Sequence, residues 1–117
     1  KAQKMQKRAA DVGFDWPEIK GAWEKLQEEL IELKDAYNKG NAAKIEEELG
    51  DLLFAVVNVA RFLDVDAEQA LAAAINKFFQ RLRFVEEQVQ AEGGEMSDYS
   101  LEKLDEWWNL AKNQLKG

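Results

Sequence analysis

Two groups of acidic side chains lie on either side of Gly40. The first group is Glu28, Glu29 and Glu32, and the second is Glu46, Glu47, Glu48 and Asp51. Carboxylate oxygens bind hard divalent cations, and a carboxylate can also accept a proton from an attacking water. The residue types therefore allow metal binding and general-base chemistry, and their spacing decides whether they can act together.

The spacing places four of these carboxylates at matching levels. Glu29 and Glu32 are three residues apart, as are Glu48 and Asp51, so each pair projects from one side of a helix, beside its apolar stripe. Glu32 and Glu48 each lie eight residues from Gly40, and Glu29 and Asp51 each lie eleven residues from it. At ~1.5 Å per residue the two levels lie about 12 and 16 Å from the turn. In a helical hairpin the pairs would face a common point.

Four carboxylates this close repel one another unless a cation lies between them. Mg²⁺ suits oxygen ligands and shares its coordination shell with waters and substrate phosphates, and Mn²⁺ is the alternative ion. A second interpretation stays open, since acidic pairs are commonly a solvated helix face with salt bridges, here to Lys25 or Lys44.

The segments that must position these side chains are helical throughout. One proline and seven glycines leave few places to break a helix. We predict helices over 1–12, from Pro17 in the first turn to Gly40, from Asn41 to about 63, over 67–92, and from Ser100 onward. Gly13, Gly40, Gly93 and Gly94 end them, and Asn41 and Ser100 begin them.

Apolar residues recur at three- and four-residue spacing in each long helix, which predicts a stripe facing a core. The predicted inward positions are Ile19, Trp23, Leu26, Leu30, Leu33 and Tyr37; Ile45, Leu49, Leu52, Val56, Val59 and Leu63; Leu71, Ala74, Phe78, Leu82, Val85 and Val89; and Leu101, Leu104, Trp108, Ala111 and Leu115. The expected fold is all-α, an antiparallel bundle of four main helices completed by dimerisation.

Composition narrows the function classes. The 117 residues suit a single domain, and the net charge of −7 argues against nucleic-acid binding. No cysteine or histidine is present, which excludes thiolate chemistry and the Glu-x-x-His pairs of di-iron bundles. No run is long and apolar enough to span a membrane, and no signal peptide begins the chain, so we expect a cytoplasmic protein. The first residue is Lys and not Met, which suggests either a piece of a longer protein or a processed chain.

The acidic strings resemble a known motif pair. Residues 28–32 (EELIE) and 48–51 (ELGD) are similar to the EExxE and ExxD motifs of the all-α nucleotide pyrophosphohydrolases. Residues 8–16, 44–54 and 77–86, with the closing Trp108 and Lys112, resemble the C-terminal catalytic domain of the MazG family. The resemblance covers essentially the whole chain. Members of this family are typically two-domain, dimeric proteins, and this chain is similar to the second half alone.

The resemblance implies a role for each matching residue. Glu29, Glu32, Glu48 and Asp51 would bind the metal, while Glu28 and Glu47 would bind a further ion or orient the attacking water. Lys44 joins the candidates for substrate binding.

Basic and aromatic candidates lie further along the chain. Lys77 and Arg81 are one helical turn apart and suit phosphate oxygens, although such a pair is more commonly a set of surface cations. The resemblance favours triphosphate contact. It also implies that Trp108 and Lys112 close over the nucleotide, whereas the apolar pattern alone puts Trp108 in the core. Phe14 and Trp16 suit either a base pocket or the end of the bundle.

The resemblance implies Mg²⁺-dependent hydrolysis of nucleoside triphosphates to the monophosphate and pyrophosphate, by a metal-activated water attacking the α-phosphorus. Glu28 is the expected general base. The alternative is a non-catalytic acidic helical module that docks on a partner, which would give no reason for carboxylate pairs at matching levels.

Overall fold

A computed structural model describes residues 1–114, and every regular element within that range is helical. The elements are α1 (Ala2–Asp11), α2 (Ile19–Lys39), α3 (Ala42–Phe62), α4 (Ala67–Ala91), a short 3-10 helix (Met96–Asp98) and α5 (Leu101–Gln114). The predicted all-α class is confirmed. Leu115, predicted to face the core, lies outside the described residues. None of the described helices is long and apolar enough to cross a membrane.

The turn between α2 and α3 is set by two adjacent residues. Gly40 ends α2 in the left-handed conformation (φ 68°), where glycine avoids the steric penalty of a side chain. Asn41 then begins α3, because its Oδ1 accepts a hydrogen bond from the Lys44 backbone N–H at 3.1 Å. The two helices pack along each other as an antiparallel hairpin. This places the two acidic groups side by side.

One predicted helix boundary is wrong. Pro17 precedes α2 and does not occupy its first turn. Glu18 adopts an extended backbone (φ −142°), so helical hydrogen bonding begins only at Ile19.

The chain divides into two compact units, Lys1–Glu68 and the residues from Gln69 onward. In the first unit α1 packs against α3 of the hairpin. The Gln3 side chain joins α1 to the start of α4, since its Nε2 donates to the Val65 carbonyl (2.8 Å) and its Oε1 accepts from the Ala67 N–H (2.9 Å). The predicted single domain stays a prediction.

Small side chains form much of the core of the first unit. Ala22, Ala36 and Ala55 are buried, together with Val59. The predicted inward stripe is wrong for six of the larger residues on α2, on α3 and directly after α3, because no part of the described chain covers them. These exposed residues are Trp23, Leu30, Tyr37, Leu49, Val56 and Leu63, of which Leu63 directly follows α3, and Leu71 and Phe78 on α4 are likewise exposed.

The second unit has a small apolar core of Val85, Val89 and Trp107. Tyr99 packs edge-on against Trp107 with ring centroids 5.1 Å apart. Ser100 begins α5 as predicted, since its Oγ accepts from the Lys103 N–H at 3.2 Å. The pattern missed Trp107, which is the buried tryptophan, whereas Trp108 is half-buried and Leu101 is exposed.

Candidate functional site

Carboxylates from both helices of the hairpin converge. Glu29 on α2 and Glu48 and Asp51 on α3 each place one oxygen so that all three oxygens lie within 4.8 Å of one another. Glu32 lies against the same group and contacts both Glu48 and Glu29. The four residues predicted to act together are therefore close in space, and we call them the carboxylate cluster.

Two members of the cluster are buried, which is unusual for carboxylates. Glu29 is 4% exposed and Glu48 is 5% exposed. In each, Oε1 faces a lysine: Lys25 Nζ lies 2.9 Å from Glu29, and Lys44 Nζ lies 3.3 Å from Glu48. The Oε2 atoms of both are buried and have no hydrogen-bond partner within the described residues. Buried acceptors without partners are costly, so these two oxygens suit a ligand.

The neighbouring carboxylates of the cluster raise the pKa of Glu32. The hydrogen bond that protonated Glu32 can donate to Glu48, the negative charge of Glu29 and desolvation together raise the pKa of Glu32 to about 7. The side chain itself is exposed. Crowded carboxylates therefore share a proton near neutral pH when no cation separates them.

The donor set fits a hard divalent cation. Three oxygens converge within 4.8 Å, and the unpartnered Oε2 atoms belong to two of the contributing residues. All the donors are carboxylate oxygens, which Mg²⁺ and Mn²⁺ accept. The residues present thus fit the metal that the family resemblance implies.

The predicted salt bridges also form. Hydrogen bonding to Glu29 raises the pKa of Lys25, and hydrogen bonding to Glu47 and Glu48 raises the pKa of Lys44. The two ammonium groups partly neutralise the cluster from its edges. Of the four cluster residues, Glu29 and Glu48 are buried, whereas Glu32 and Asp51 are exposed, so a solvated acidic face describes only part of the cluster.

Glu28 and Glu47 lie at the rim. Both side chains are more than half exposed. Lys44 Nζ hydrogen-bonds Glu47 at 3.2 Å, while the nearest approach of Lys25 Nζ to Glu28 is 3.6 Å. Glu28 is therefore the less engaged carboxylate of the two.

The remaining candidates lie in the second unit. The Arg81 guanidinium carbon lies 6.0 Å from the centroid of the Trp108 ring, and Phe78 packs on the same ring at 5.0 Å. The Nε of Arg81 is buried and has no hydrogen-bond partner in the part of the chain that the structure describes. Lys77 and Lys112 are exposed. The structure thus brings Arg81 and Trp108 together, an association that the sequence pattern did not predict.

A cavity of about 720 Å³ opens in the first unit beside the cluster. Its wall includes Glu29 and Asp51, so the cavity and the cluster are continuous. The wall of the cavity also includes apolar, aromatic and amide side chains, namely those of Met5, Gln6, Phe14, Trp16, Phe54 and Asn58. Of these, only Phe14 and Trp16 are predicted from the sequence as candidates for a binding site. No local pattern marks Gln6 or Asn58, which are 52 positions apart.

The relationship to known proteins agrees with this geometry. Residues 19–85 match the family profile of the MazG nucleotide pyrophosphohydrolase domain. The chain belongs to this family. The matched segment contains α2, α3 and most of α4, and therefore all four residues of the carboxylate cluster together with Lys77 and Arg81.

Two relatives align with nearly all of this MazG domain. It is 46% identical over 111 residues to the nucleoside triphosphate pyrophosphohydrolase/pyrophosphatase MazG of Thermotoga maritima, and 47% identical over 118 residues to the nucleoside triphosphate pyrophosphohydrolase of Escherichia coli K12. These alignments take in 95% and 97% of the chain but 42% and 44% of the relatives. The chain therefore spans less than half the length of either protein. The Bacillus subtilis protein YabN is 47% identical over 68 residues, which is 58% of this chain.

Proposed function

We propose that this MazG domain hydrolyses nucleoside triphosphates, ribo- or deoxyribo-, to the nucleoside monophosphate and pyrophosphate. One observation carries the proposal: Glu29 and Glu48 are buried next to Asp51, and each has an oxygen with no hydrogen-bond partner among residues 1–114. The named activity of the Thermotoga and Escherichia relatives supports it.

Glu29, Glu32, Glu48 and Asp51 are the residues that would hold Mg²⁺, with Mn²⁺ as a substitute. A divalent cation held there would neutralise phosphate charge and lower the pKa of a bound water. The cluster supplies the negative charge that retains the cation.

The reaction needs a nucleophile, a base and a leaving group. The oxygen of a water attacks the α-phosphorus, and the bond from that phosphorus to the bridging oxygen of pyrophosphate breaks. Because the chain contains no histidine, a carboxylate is the protein's available base. We assign the proton to Glu28, since Lys44 engages Glu47 more closely than Lys25 engages Glu28. Glu47 then orients water or binds a further ion.

Lys44, Lys77, Arg81 and Lys112 are the proposed contacts for the triphosphate, and Trp108 covers the nucleotide. Arg81 already rests against Trp108, which holds its guanidinium in a fixed place. Lys44 now pairs with Glu47 and Glu48. Lys44 Nζ would have to leave these two carboxylates before it could contact a phosphate oxygen.

Product analysis tests the reaction. Purified protein is incubated with each common ribo- and deoxyribonucleoside triphosphate and Mg²⁺, and pyrophosphate and orthophosphate are measured separately. We expect monophosphate and intact pyrophosphate in equal amounts, with no diphosphate. Orthophosphate release in the absence of a contaminating pyrophosphatase would overturn the assignment.

The competing function is a non-catalytic acidic module. A non-catalytic module would not explain why Glu29 and Glu48 each bury an oxygen that has no hydrogen-bond partner among the described residues. Calorimetric titration with Mg²⁺ separates the two, because an adaptor should show no stoichiometric, saturable binding.

We further propose that the protein acts as a homodimer. Large apolar side chains stand exposed on the hairpin, including Leu30, Ile31, Leu49, Leu53 and Val56. A second copy of the chain would cover them, as the family resemblance implies. Sedimentation analysis should give a dimer, and Leu53→Glu should shift it toward monomer. A monomeric wild type at micromolar concentration would contradict this proposal.

A further inference from the structure

The two helices that form the carboxylate cluster repeat one sequence pattern. Residues 25–32 read KLQEELIE and residues 44–51 read KIEEELGD. Each segment contains a lysine, then two glutamates three and four residues later, and then an acidic residue seven residues after the lysine. An ammonium group therefore accompanies the carboxylates on each helix, at the spacing that brings side chains onto one helical face.

The antiparallel turn places the two lysines on opposite sides of the cluster. Lys25 lies fifteen residues before Gly40 and Lys44 lies four residues after it, whereas the converging carboxylates lie eight and eleven residues away. At ~1.5 Å per residue, the Cα atom of each lysine is displaced about 8 Å along the helix axis from the middle of the cluster, in opposite directions. The repeat thus gives the site an approximate two-fold symmetry, with one ammonium group at each end.

The side-chain contacts follow the same repeat. Lys25 Nζ lies 2.9 Å from Glu29 Oε1, and Lys44 Nζ lies 3.3 Å from Glu48 Oε1. In both helices the same ammonium group also forms an ion pair with the preceding glutamate. That preceding glutamate is exposed, whereas Glu29 and Glu48 are buried. Each ammonium group therefore joins a carboxylate at the rim to a buried one.

Each lysine engages one oxygen of the buried carboxylate and leaves the other open. The Oε1 atoms of Glu29 and Glu48 face the ammonium groups, whereas their Oε2 atoms are buried and have no hydrogen-bond partner within residues 1–114. A charge-assisted contact to one oxygen holds the carboxylate in one orientation. The open oxygens are therefore already positioned before a cation binds.

The charges of the two lysines have opposite effects on the metal-free and the metal-bound site. Lys25 and Lys44 are the cations that form ion pairs with the carboxylates of these segments in the described part of the chain. Neighbouring carboxylates repel one another, and a positive charge a few ångströms away offsets part of that repulsion. The same positive charge repels a divalent cation that enters the cluster. Each lysine should therefore stabilise the metal-free protein and weaken its affinity for metal.

We propose that Lys25 and Lys44 are paired counter-ions built into the site, which keep the cluster assembled when metal is absent and lower its affinity for the metal. They are positioning residues, because they act through Glu29 and Glu48. The inference rests on the proposed function, since it concerns the same metal site. Its consequence is a site that stays folded without metal and releases the metal readily.

Calorimetric titration with Mg²⁺ measures the effect on affinity, and no nucleotide is present because Lys44 is also a proposed contact for the triphosphate. Lys25→Met and Lys44→Met keep an unbranched apolar side chain and remove the charge. Each should bind Mg²⁺ about two- to fivefold more tightly than the wild type, a small factor because the lysines are 42% and 53% exposed and solvent screens them. The double variant should bind about tenfold more tightly if the two contributions add. Lys25→Arg keeps the charge and should bind like the wild type.

Thermal melts measure the effect on the metal-free protein. In chelator, both methionine variants should melt below the wild type, and saturating Mg²⁺ should reduce this deficit because the metal then neutralises the carboxylates. Lys103→Met is the matched control, since Lys103 pairs with Glu106 at 3.4 Å on α5, is 45% exposed and lies outside the cluster. Its effect on the melting temperature should be the same with and without Mg²⁺.

Wild-type or weaker Mg²⁺ affinity in both methionine variants, or a melting deficit as large with metal as in chelator, would overturn the inference. Lys25→Arg that binds as tightly as Lys25→Met would do the same, since the charge would then not be the cause. A wild type with no saturable Mg²⁺ binding would overturn the metal site of the proposed function, and the inference with it. The two failures can be told apart, because only the second requires the wild type itself to bind no metal.

Discussion

The two compact units bury different kinds of side chain. All four buried polar residues among residues 1–114 lie in the first unit: Gln6, Glu29, Glu48 and Asn58. The second unit buries Val85, Val89, Trp107 and Ala111. The first unit therefore buries polar groups, which are costly to bury, beside its apolar residues Ala22, Ala36, Ala55 and Val59, whereas every buried residue of the described second unit is apolar.

This difference separates residues that serve a ligand from residues that serve stability. Carboxylates held together without a cation lower the free energy of unfolding, and they are tolerated where a bound ligand offsets that cost. An apolar contact needs no ligand to be favourable. Activity should therefore depend mainly on the polar residues of the first unit, and stability mainly on the apolar core of the second.

The largest expected effect is a loss of activity when a residue of the carboxylate cluster is replaced. Glu48→Gln and Asp51→Asn each remove one negative charge from the convergent oxygens. We expect pyrophosphate release to fall on the order of a thousandfold, as for loss of a group that stabilises transition-state charge. Glu46→Gln is the control, because Glu46 is exposed and lies outside the cluster. Near-normal turnover in either amide variant would contradict the claim that the buried carboxylates of the first unit serve activity.

The next largest effect should be on stability in the second unit. Trp107→Ala removes a buried ring from the Val85 and Val89 core, and should lower the free energy of unfolding by about 3–5 kcal/mol. Trp23→Ala, at a largely exposed tryptophan, should cost less. Urea denaturation compares the two, and an equal or larger loss for Trp23→Ala would contradict the assignment of the core.

Magnesium should stabilise the wild type through its first unit. A ligand at a hundred times its dissociation constant adds about 2.7 kcal/mol. In chelator, Glu48→Gln and Asp51→Asn should melt at or above the wild-type temperature, because repulsion is relieved and Lys44 remains solvated. Both variants should gain much less from Mg²⁺. Thermal melts would refute this if either variant melted well below wild type in chelator and responded equally to the metal.

Replacing the basic residues of α4 should have a smaller effect on activity. Lys77→Ala and Arg81→Ala should each lower kcat/KM for triphosphates by about ten- to thirtyfold, as expected for loss of one charge-assisted contact. Arg83→Ala is the matched control on the same helix. Loss of helicity by circular dichroism, with the surviving folded fraction fully active, would return both residues to a structural role.

The smallest effect concerns acid stability. The hydrogen bonds from Arg61 hold the pKa of Asp15 below its usual value. The folded state thus favours ionised Asp15, so its contribution is complete above the unfolded pKa and is lost as the pH falls through the folded pKa. Asp15→Asn should therefore flatten the acid limb of stability below about pH 4. Unfolding curves from pH 2.5 to 7 with an unchanged acid limb would remove Asp15 from this role.

Local sequence determined the helices and most of their ends. Gly40 permits the left-handed turn and Asn41 caps α3, both through contacts within a few residues, and both are recognisable without a structure. Matching distances from this turn were sufficient to predict that Glu29, Glu32, Glu48 and Asp51 meet. An α-helix advances by a constant rise, so residue counts convert directly into positions.

Tertiary structure alone decided burial and the contacts between distant segments. Periodicity placed Leu30 and Leu49 in the core and overlooked Trp107, because a stripe shows which face is apolar and not whether another element covers it. The pairing of Asp15 with Arg61 joins residues 46 positions apart, and the unpartnered Oε1 of Gln6 depends on a carbonyl 48 positions away. No periodic pattern encodes such contacts. They arise only when α1 and its following loop pack on the hairpin, and that packing forms the cavity beside the cluster.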